Sequence, residues 1–467
     1  WSTRVFHLLS RMAAPGATLA TWSVAGEVRE GLRRAKFVVE KTPGFGGKRE
    51  MLRGSLHPQA RGRPSTSPAL RHAVIIGAGA AGTSVAERLC ARGWEIDIVD
   101  AATGPGQGAS GNHAGVLRPQ PSLDDNRMSR LSRAGALYGW RRIEKALAAG
   151  SPLRAAACGV FHLARDAEQE DKMRAAATRL ALPAEVLCST DAAMASDIIG
   201  WRVSRGGWYF PGCGWVQPPS LCAANLAAFP HLVRTRWQCL VAAIERRGEN
   251  WHALSAGGDT IAAAPVMILA AGVGLAGFAQ AASTPVLSAR GQVSVLPAGA
   301  GAAPRAVVCC GGYVTPEVEG RRCAGASFEV DDPDPAPRLA DQQENLAKLE
   351  GLLPGYTAGL DAAALGARVG FRPVSPDRLP LVGAVPSVCV AESSDSFTTL
   401  PRHPGLYVIS GFGARGLVWS TLAGELLASQ LESEPLPLER ELLEAMNPGR
   451  FLLRKQRKSV MENEKLE

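Results

Sequence analysis

The chain has 467 residues, 46% of them hydrophobic and 20% charged, a composition that fits a globular protein with two or three domains. Its ten cysteines include no C-x-x-C pair, which excludes a disulfide framework and a zinc site and predicts reduced thiols in a cytoplasmic protein. The net charge is +8, and residues 1–71 hold thirteen Lys and Arg against four Asp and Glu. This basic surface suits a nucleic acid, and a solvated linker is the alternative.

The first part of the chain reads as the end of an α/β domain. The predicted elements are a helix over about 2–13, a strand over Thr18–Trp22, a helix over about 24–35, a strand over Phe37–Glu40 and a strand near Arg49–Leu52. This order is similar to the end of class I S-adenosylmethionine methyltransferases, whose cofactor loop lies upstream of Trp1. We therefore expect residues 1–53 to be a C-terminal remnant that cannot hold that cofactor, and residues 54–71, rich in Pro, Gly and Arg, to be a linker.

A dinucleotide-binding motif follows. A short apolar strand, Ala73–Ile76, leads into Gly77, Gly79 and Gly82 in G-x-G-x-x-G spacing, and a helix-length segment and a second strand end on Asp100. The glycines allow a tight turn and close backbone approach, and the helix N-terminus, with Ala80 and Ala81, offers N–H groups to a diphosphate. Asp100 is placed to accept a hydrogen bond from a ribose hydroxyl.

Two further segments could reach the same ligand. In GPGQGASGNHAGVL (104–117), backbone N–H groups together with Ala109, Ser110 and Asn112 could contact a phosphate or a flavin edge. A polar surface loop is the alternative. In GGWYFPGCGW (206–215) the aromatic side chains could stack on a base or a flavin, although ordinary core packing explains each of them equally well.

The remaining elements alternate between helices and strands. Helices are predicted over Arg127–Ala148, 168–180 and 339–352, a small β-meander over 232–270, and strands over 291–296, 306–310 and 322–329. The apolar stretch Ile261–Ala279 is interrupted by Pro265 and three glycines, so a buried strand followed by a glycine turn is predicted there and no membrane span.

A second glycine-rich junction lies near the end of the chain. A strand over Gly405–Ser410 runs into GFGARG (411–416), which opens a helix through Leu427. The helix dipole and the backbone N–H groups around Gly411, Gly413, Arg415, Gly416 and Leu417 would face the far end of a long cofactor, where negative charge collects on reduction.

Six segments together resemble the D-amino-acid-oxidase superfamily of FAD proteins. They are GAGAAG, GASGNHAG, RGQVS (290–294), GYVTP (312–316), GFRPVSPDRLPLVG and GFGARGLVWSTLAGE. Within it, the chain is most similar to the family of bifunctional tRNA 5-methylaminomethyl-2-thiouridine biosynthesis proteins, through Asp124-Asp125-Asn126 after the ASGN segment, through 435–455 and through 15–54. The resemblance covers nearly the whole chain.

This resemblance implies a fold class and a division of the chain. The class is α/β, with a Rossmann-type FAD-binding domain and a second, mixed-sheet substrate domain, preceded by the methyltransferase remnant. The oxidoreductase would cover 72–448, with FAD-binding parts at about 72–150, 205–285 and 366–448. The substrate-side parts would be about 151–204 and 286–365, and 449–467 would be a basic tail.

The implied function is modification of a tRNA wobble uridine, with tRNA as partner. The flavin domain oxidises a C–N bond of 5-carboxymethylaminomethyl-(2-thio)uridine, the carboxymethyl arm leaves, and 5-aminomethyl-(2-thio)uridine remains. The other half then methylates the amine with S-adenosylmethionine, and we expect that activity to be absent or crippled here. Neither a metal nor a membrane is implied, and the oligomeric state stays open.

The resemblance also nominates site residues. In similar oxidases an Arg in the R-P-x-x-P-D pattern binds the substrate carboxylate, so Arg372 is the candidate catalytic residue; a structural ion pair with Asp377 is the alternative. Arg415 could pair with the flavin or with tRNA, and Tyr313 is either a polar group of the pocket or a core tyrosine. No side chain is nominated as a strong base.

Two other functions remain open at this stage. One is an oxidase or dehydrogenase that acts on free glycine or a D-amino acid, against which the basic termini argue. The other is a catalytically dead fragment that only binds tRNA, against which the intact glycine-rich loops argue.

Overall fold

The computed structural model describes residues 1–44, 46–58, 70–297, 299, 302–387 and 396–454. Contacts group these residues into a small N-terminal unit and a larger unit that begins at Leu70. Most of the predicted linker, 59–69, and most of the predicted basic tail, 455–467, lie outside the described residues.

The N-terminal unit is an antiparallel three-stranded sheet with two helices. Its elements are α1 (Thr3–Met12), β1 (Thr18–Thr21), α2 (Gly26–Arg34), β2 (Phe37–Pro43) and β3 (Glu50–Leu56), in the sheet order β1-β3-β2. On β2 the side chains of Phe37 and Val39 are buried while their neighbours are exposed, as expected for a strand with one covered face. All five predicted elements are present, with ends that differ by a few residues.

The larger unit contains most of the strands. They are β4 (His72–Ile76), β5 (Glu95–Val99), β6 (Gly115–Leu117), β7 (Ala155–Ala156), β8 (Val160–Leu163), β9 (Cys188–Thr190), β10 (Gly207–Phe210), β11 (Gly214–Val216), β12 (Val233–Arg236), β13 (Ala243–Arg247), β14 (Asn250–Leu254), β15 (Thr260–Ala264), β16 (Val266–Leu269), β17 (Leu287–Pro297), β18 (Val307–Cys310), β19 (Gly312–Val314), β20 (Arg321–Gly325), β21 (Glu329–Val330), β22 (Gly366–Val374), β23 (Leu381–Pro386) and β24 (Arg402–Ser410).

Three of the helices of the larger unit begin at a side chain that caps them. The helices of this unit are α3 (Ala80–Cys90), α4 (Arg127–Ala148), α5 (Ala167–Leu180), α6 (Ala192–Ile199), α7 (Pro218–Ala227), α8 (Leu339–Leu352), α9 (Gly416–Leu431) and α10 (Arg440–Met446). The side chains of Asn126, Asp166 and Asp191 accept backbone N–H groups at the starts of α4, α5 and α6, as N-cap residues do. The predicted bounds of α4 and α8 are confirmed.

A six-stranded sheet in the order β12-β5-β4-β16-β24-β23 carries the dinucleotide motif. The strands from β12 to β24 run parallel, and β23 is antiparallel to β24. Val74, Ile75 and Ile268 in its centre are fully buried, which explains why these strands read as continuous apolar runs rather than alternating ones. The glycine-rich junctions after β4 and β24 both lie at the carboxyl ends of parallel strands, where α/β sheets bind ligands.

The second large sheet is mixed and has nine strands. Its order is β21-β17-β20-β19-β18-β8-β10-β9, and β22 pairs with β17 along nine residues. The sequence assigned β10 and β22 to the FAD-binding parts 205–285 and 366–448, whereas both strands pair within this sheet. Local sequence could not reveal this, because each strand's partners are distant in the chain.

The stretch that resembled a membrane span is part of the globular fold. Strands β13, β14 and β15 form the predicted antiparallel meander, and β16 follows as a buried central strand. The glycines after it form a 3₁₀ turn over Gly272–Gly277. Among the described residues, no helix has the length and apolar character that spanning a bilayer would demand.

A buried ion pair holds the mixed sheet to α8. The Arg290 side chain is 1% exposed, and its guanidinium donates to Asp341 Oδ2 at 2.6 Å and to the carbonyl oxygens of Asp334 and Ala336. A buried guanidinium is tolerated only when its donors are satisfied in this way.

We expect Asp341→Ala to lower the free energy of unfolding of the larger unit by about 3 kcal/mol or more, because Arg290 is left as a buried charge with its main partner removed. Thermal unfolding followed by circular dichroism would show a midpoint lowered by several degrees. The control Glu168→Ala removes an exposed pair with Lys172 and should leave the midpoint unchanged. Equal midpoints for both variants would contradict this account.

Candidate active site

The loop after β4 has a geometry that only glycine allows. Gly77 has φ +106°, and a Cβ there would lie 2.8 Å from the carbonyl carbon of Ala270. A Cβ at Gly82 would collide with the carbonyl oxygen of Gly77. Gly79 precedes the first residue of α3, so the helix begins at the loop and its first N–H groups face outward from the sheet.

The start of α3 borders a large cavity. The cavity has a volume of about 1100 Å³ and is lined by Gly77, Gly79, Ala80 and Ala81. Gly82 does not line it, since its role is the close packing of α3 on the preceding turn. The N–H of Ala80 donates to Ser110 Oγ at 3.0 Å, which brings the second predicted segment to the helix N-terminus.

Asp100 also lines the cavity, but its first contacts are with the backbone. Its Oδ2 accepts the N–H of Ala78 at 2.7 Å and its Oδ1 accepts that of Ala102 at 2.8 Å. Because each carboxylate oxygen has two lone pairs, these bonds leave acceptor capacity for the ribose hydroxyl that the sequence predicts. The carboxylate therefore braces the glycine turn and still faces the cavity.

The segment 104–117 is held in place by a residue that sequence reasoning missed. Ala109, Ser110 and Asn112 line the cavity. Arg368 donates to Asn112 Oδ1 at 3.1 Å and to the carbonyl oxygens of Gln107 and Gly108. Arg368 could have been found, because it lies four residues before Arg372 on a strand and so faces the same side of the sheet.

Arg372, the candidate carboxylate-binding residue, is partly buried at the cavity wall. It donates to the carbonyl oxygen of Ser327 at 3.2 Å, and its guanidinium carbon lies 5.8 Å from the Phe328 ring centre. A Cβ at Gly291, on the paired strand β17, would occupy the position of this guanidinium. Burial lowers the pKa of Arg372, and a bound carboxylate would counter that desolvation.

Asp377, the alternative partner of Arg372, is bound elsewhere. Its carboxylate accepts from Arg450 at 2.8 and 2.9 Å and from Arg454 at 2.8 Å. Burial alone would raise the pKa of Asp377, but the hydrogen bonds and charge of Arg450, with a smaller effect of Arg454, lower it to about 2. The ion pair between Arg372 and Asp377 is therefore not formed.

The C-terminal glycine junction reaches the same cavity. Gly413, Arg415, Gly416 and Leu417 line it, and a 3₁₀ turn over Gly413–Arg415 leads directly into α9. Gly411 was predicted to contact the cofactor but does not line the cavity. It has φ +74° and lies against Leu381 and Ser375, so it serves the turn rather than the ligand.

Arginine side chains dominate the charge of the cavity. Arg118, Arg368, Arg372 and Arg415 line it, whereas Asp100 is the one carboxylate among the described residues that do so. Burial, and next the charges of Arg118 and Arg378, lower the pKa of Arg415. This excess of positive charge predicts a ligand, or a pair of ligands, that carries several negative charges.

Arg118 and His162 were not identified from the sequence. Arg118 donates to His162 Nδ1 at 2.9 Å and to the carbonyl oxygen of Pro119 at 2.8 Å. Burial, followed by the Arg118 charge, holds the pKa of His162 well below its usual value, so the imidazole is neutral and accepts this hydrogen bond. No local pattern marks the pair, because β8 brings His162 to the cavity from a distant part of the chain.

The aromatic segment 206–215 contributes to the core rather than to the cavity. Trp208 and Phe210 are buried in a hydrophobic cluster that Trp215 also contacts, and Tyr209 packs on a second cluster. Tyr313 does line the cavity, where its hydroxyl donates to the carbonyl oxygen of Ala114 at 3.4 Å. Burial raises its pKa, so the phenol stays protonated.

Two family models match the chain. The model of FAD dependent oxidoreductases matches residues 72–430, and that of S-adenosyl-L-methionine-dependent methyltransferases matches residues 1–57. Solved structures agree with the first match. A glycine oxidase from Geobacillus kaustophilus has a TM-score of 0.66 at 21% identity, covering 81% of this chain and 98% of that one. An iminodiacetate oxidase from Chelativorans sp. BNC1 has a TM-score of 0.64 at 26% identity, covering 80% and 98%.

A curated relative is closer in sequence. The tRNA 5-methylaminomethyl-2-thiouridine biosynthesis bifunctional protein MnmC of Azoarcus sp. (strain BH72) is 63% identical over 454 residues, which are 97% of this chain and 71% of that protein. The chain thus belongs to the FAD-dependent oxidoreductases and, within them, to the family of these bifunctional proteins. The predicted fold class and family are confirmed.

The cavity fits FAD on three observations. The N–H groups at the start of α3 face a space that no Cβ of Gly79 fills, Asp100 stands at the end of β5, and a volume of about 1100 Å³ connects both to the start of α9. The residues predicted to contact the diphosphate (Gly79, Ala80 and Ala81), a ribose hydroxyl (Asp100) and the flavin ring (Gly413, Arg415, Gly416 and Leu417) all line this cavity, and their contacts with FAD stay predictions. In the described part of the chain, no group of three His, Cys, Asp or Glu side chains could hold a metal.

We expect Gly82→Ala to weaken FAD binding by at least about tenfold, because the added methyl must push α3 away from the turn that holds the diphosphate. Visible flavin absorbance per protein after gel filtration measures this. Gly351→Ala is the matched control, since a Cβ there meets nothing within 4 Å. Equal flavin content in the two variants would exclude this role for Gly82.

Proposed function

We propose that this chain performs the flavin-dependent step of tRNA wobble-uridine modification. The reaction removes the carboxymethyl arm of 5-carboxymethylaminomethyl-(2-thio)uridine by oxidation of the C–N bond and leaves 5-aminomethyl-(2-thio)uridine. Membership of the bifunctional family supports the substrate. The observation that carries the proposal is Arg372, a partly buried guanidinium on the wall of the cofactor cavity that has no carboxylate partner among the described residues.

The chemistry of the substrate explains why a free arginine is needed. The carboxymethylaminomethyl arm is an N-substituted glycine, so it ends in a carboxylate attached to the carbon that is oxidised. A guanidinium binds a carboxylate through two parallel hydrogen bonds and so fixes its orientation as well as its position. The bond from Arg372 to Ser327 aims the remaining donors, and the glycine at 291 provides the space.

The protein's contribution is mainly orientation. FAD, when bound, supplies the two-electron oxidation of the C–N bond. Arg372 holds the carboxylate, and the neutral His162 keeps Arg118 pointed into the cavity. Because Asp100 is the one carboxylate among the described lining residues and is bound to backbone N–H groups, the substrate amine is expected to enter already neutral. The imine product then hydrolyses in water and releases glyoxylate.

The basic surface supports tRNA as the partner. Residues 1–71 have a net charge of +9 and the rest of the sequence sums to −1, and contacts between basic side chains and phosphates supply affinity for a nucleic acid without sequence preference. A cytoplasmic location stays a prediction. Oxidation of free amino acids is the second candidate, and the fold shared with glycine oxidase and iminodiacetate oxidase favours it.

Anaerobic mixing of the flavin-loaded protein with substrate separates the candidates. Bleaching of the flavin by tRNA that carries the carboxymethylaminomethyl group, and not by free glycine, supports the proposal. Bleaching by glycine or a D-amino acid at an equal or higher rate would replace it with the second candidate. A protein that binds tRNA but is bleached by neither would be an RNA-binding protein without oxidase activity.

We expect Arg372→Ala to reduce kcat/KM for flavin reduction by modified tRNA about 100-fold or more, since removal of one partner of a buried charge pair costs about 2–5 kcal/mol. Arg372→Lys should recover only part of the loss, because an ammonium cannot bind a carboxylate with two parallel bonds. The control is Arg165→Ala, an exposed arginine paired with Asp166. Wild-type kinetics in Arg372→Ala would reject this arginine as the carboxylate-binding residue.

A further inference from the structure

Phe328 is an exposed aromatic side chain at the cavity. Its side chain is 52% exposed although it lines the cavity next to Arg372. The other phenylalanines of the lining, Phe278, Phe371 and Phe412, are partly or fully buried. A single exposed phenylalanine needs no explanation by itself, and what distinguishes Phe328 is that its exposed ring stands on the cavity lining beside Arg372.

The backbone on both sides of Phe328 is bound to the mixed sheet. Ser327 Oγ accepts the N–H of Gln292 at 3.0 Å, and the Ser327 N–H donates to the carbonyl oxygen of Gln292. After Phe328, β21 pairs with β17 through Ala289 and Arg290. The backbone on both sides of Phe328 is therefore attached to the mixed sheet, and little backbone freedom is lost when a ligand packs on the ring.

The ring lies within reach of a substrate whose carboxylate binds Arg372. The guanidinium carbon is 5.8 Å from the ring centre. In the substrate, four single bonds of about 1.5 Å each join the carboxylate carbon to C5 of the uracil, an extended span of about 5 Å. A carboxylate that binds Arg372 through two parallel hydrogen bonds lies about 4 Å from the guanidinium carbon. The arm can then place C5 within about 9 Å of that carbon, a range that includes the exposed ring of Phe328.

We propose that Phe328 is the stacking surface for the pyrimidine ring of the wobble uridine; this rests on the proposed function. Bases that leave their own stack are bound on aromatic side chains in RNA-binding proteins. Stacking on one ring raises the affinity for a base by about fivefold to a hundredfold. Phe328 thereby favours a nucleotide over free glycine, which carries the same carboxylate but no ring, and so selects between the two substrate classes.

The test compares Phe328→Leu and Phe328→Trp in the flavin-loaded protein. Leu keeps an apolar side chain without a π-face, and we expect the half-saturating concentration of modified tRNA to rise about tenfold or more. Trp provides a larger face and should stay within about twofold of wild type. Val330→Ala is the control, since Val330 is 44% exposed nearby and does not line the cavity. The inference would be overturned if Phe328→Leu had the half-saturating concentration of wild type, or if that of Phe328→Trp rose as much as that of Phe328→Leu.

A second readout separates stacking from an indirect effect through Arg372. Glycolate is a small carboxylate without a nucleobase, and its binding should perturb the spectrum of the bound flavin. Its Kd therefore reports on Arg372 alone. We expect the loss of tRNA affinity in Phe328→Leu to exceed the loss of glycolate affinity by about fivefold or more. Equal losses mean that Phe328 only orients Arg372. If tRNA does not reduce the wild-type flavin, the proposed function itself fails, and that result appears before any variant is made.

Discussion

The contact between the carbonyl oxygen of Gly77 and the backbone of Gly82 is the constraint on which the cofactor site depends. A side chain at Gly82 would push α3 away from the end of β4, and a side chain at Gly77 would collide with the carbonyl group of Ala270 after β16. The same helix meets α9 on its other side at Gly424, where a Cβ would lie 2.8 Å from the Ser84 carbonyl oxygen. Held on both faces, α3 can point its first N–H groups only into the cavity.

The arginine side chains of the cavity are held in place mainly by backbone carbonyl oxygens rather than by carboxylates. Arg368 and Arg372 extend from one face of β22, on either side of Gly370, which pairs with Gly291 across the sheet. Their donors are partly used on backbone carbonyl oxygens, which are weak partners compared with carboxylates. The cations are oriented but not neutralised, and this gives the cavity its preference for anionic ligands.

The turn after β22 separates Arg372 and Asp377, the two charged residues of the R-P-x-x-P-D segment. Arg372 remains on the cavity side, whereas Asp377 binds Arg450 and Arg454 and so attaches the end of the described chain to this turn. Val374 forms a bridge with Phe412, which brings the turn next to the junction that leads into α9. One β-turn therefore links the substrate side, the cofactor side and the C-terminal segment.

The sequence alone determined the parts whose signals are local. These include the glycine turn with Asp100, the bounds of α4 and α8, the glycine junction before α9 and the R-P-x-x-P-D segment. Only the tertiary structure decided that β10 and β22 join the mixed sheet, that Gly82 and Gly411 do not line the cavity, and that Arg118, His162, Phe328 and Arg368 reach it. The reason is physical: backbone conformation depends on neighbouring residues, whereas strand partners and cavity walls are selected by packing between segments far apart in the chain.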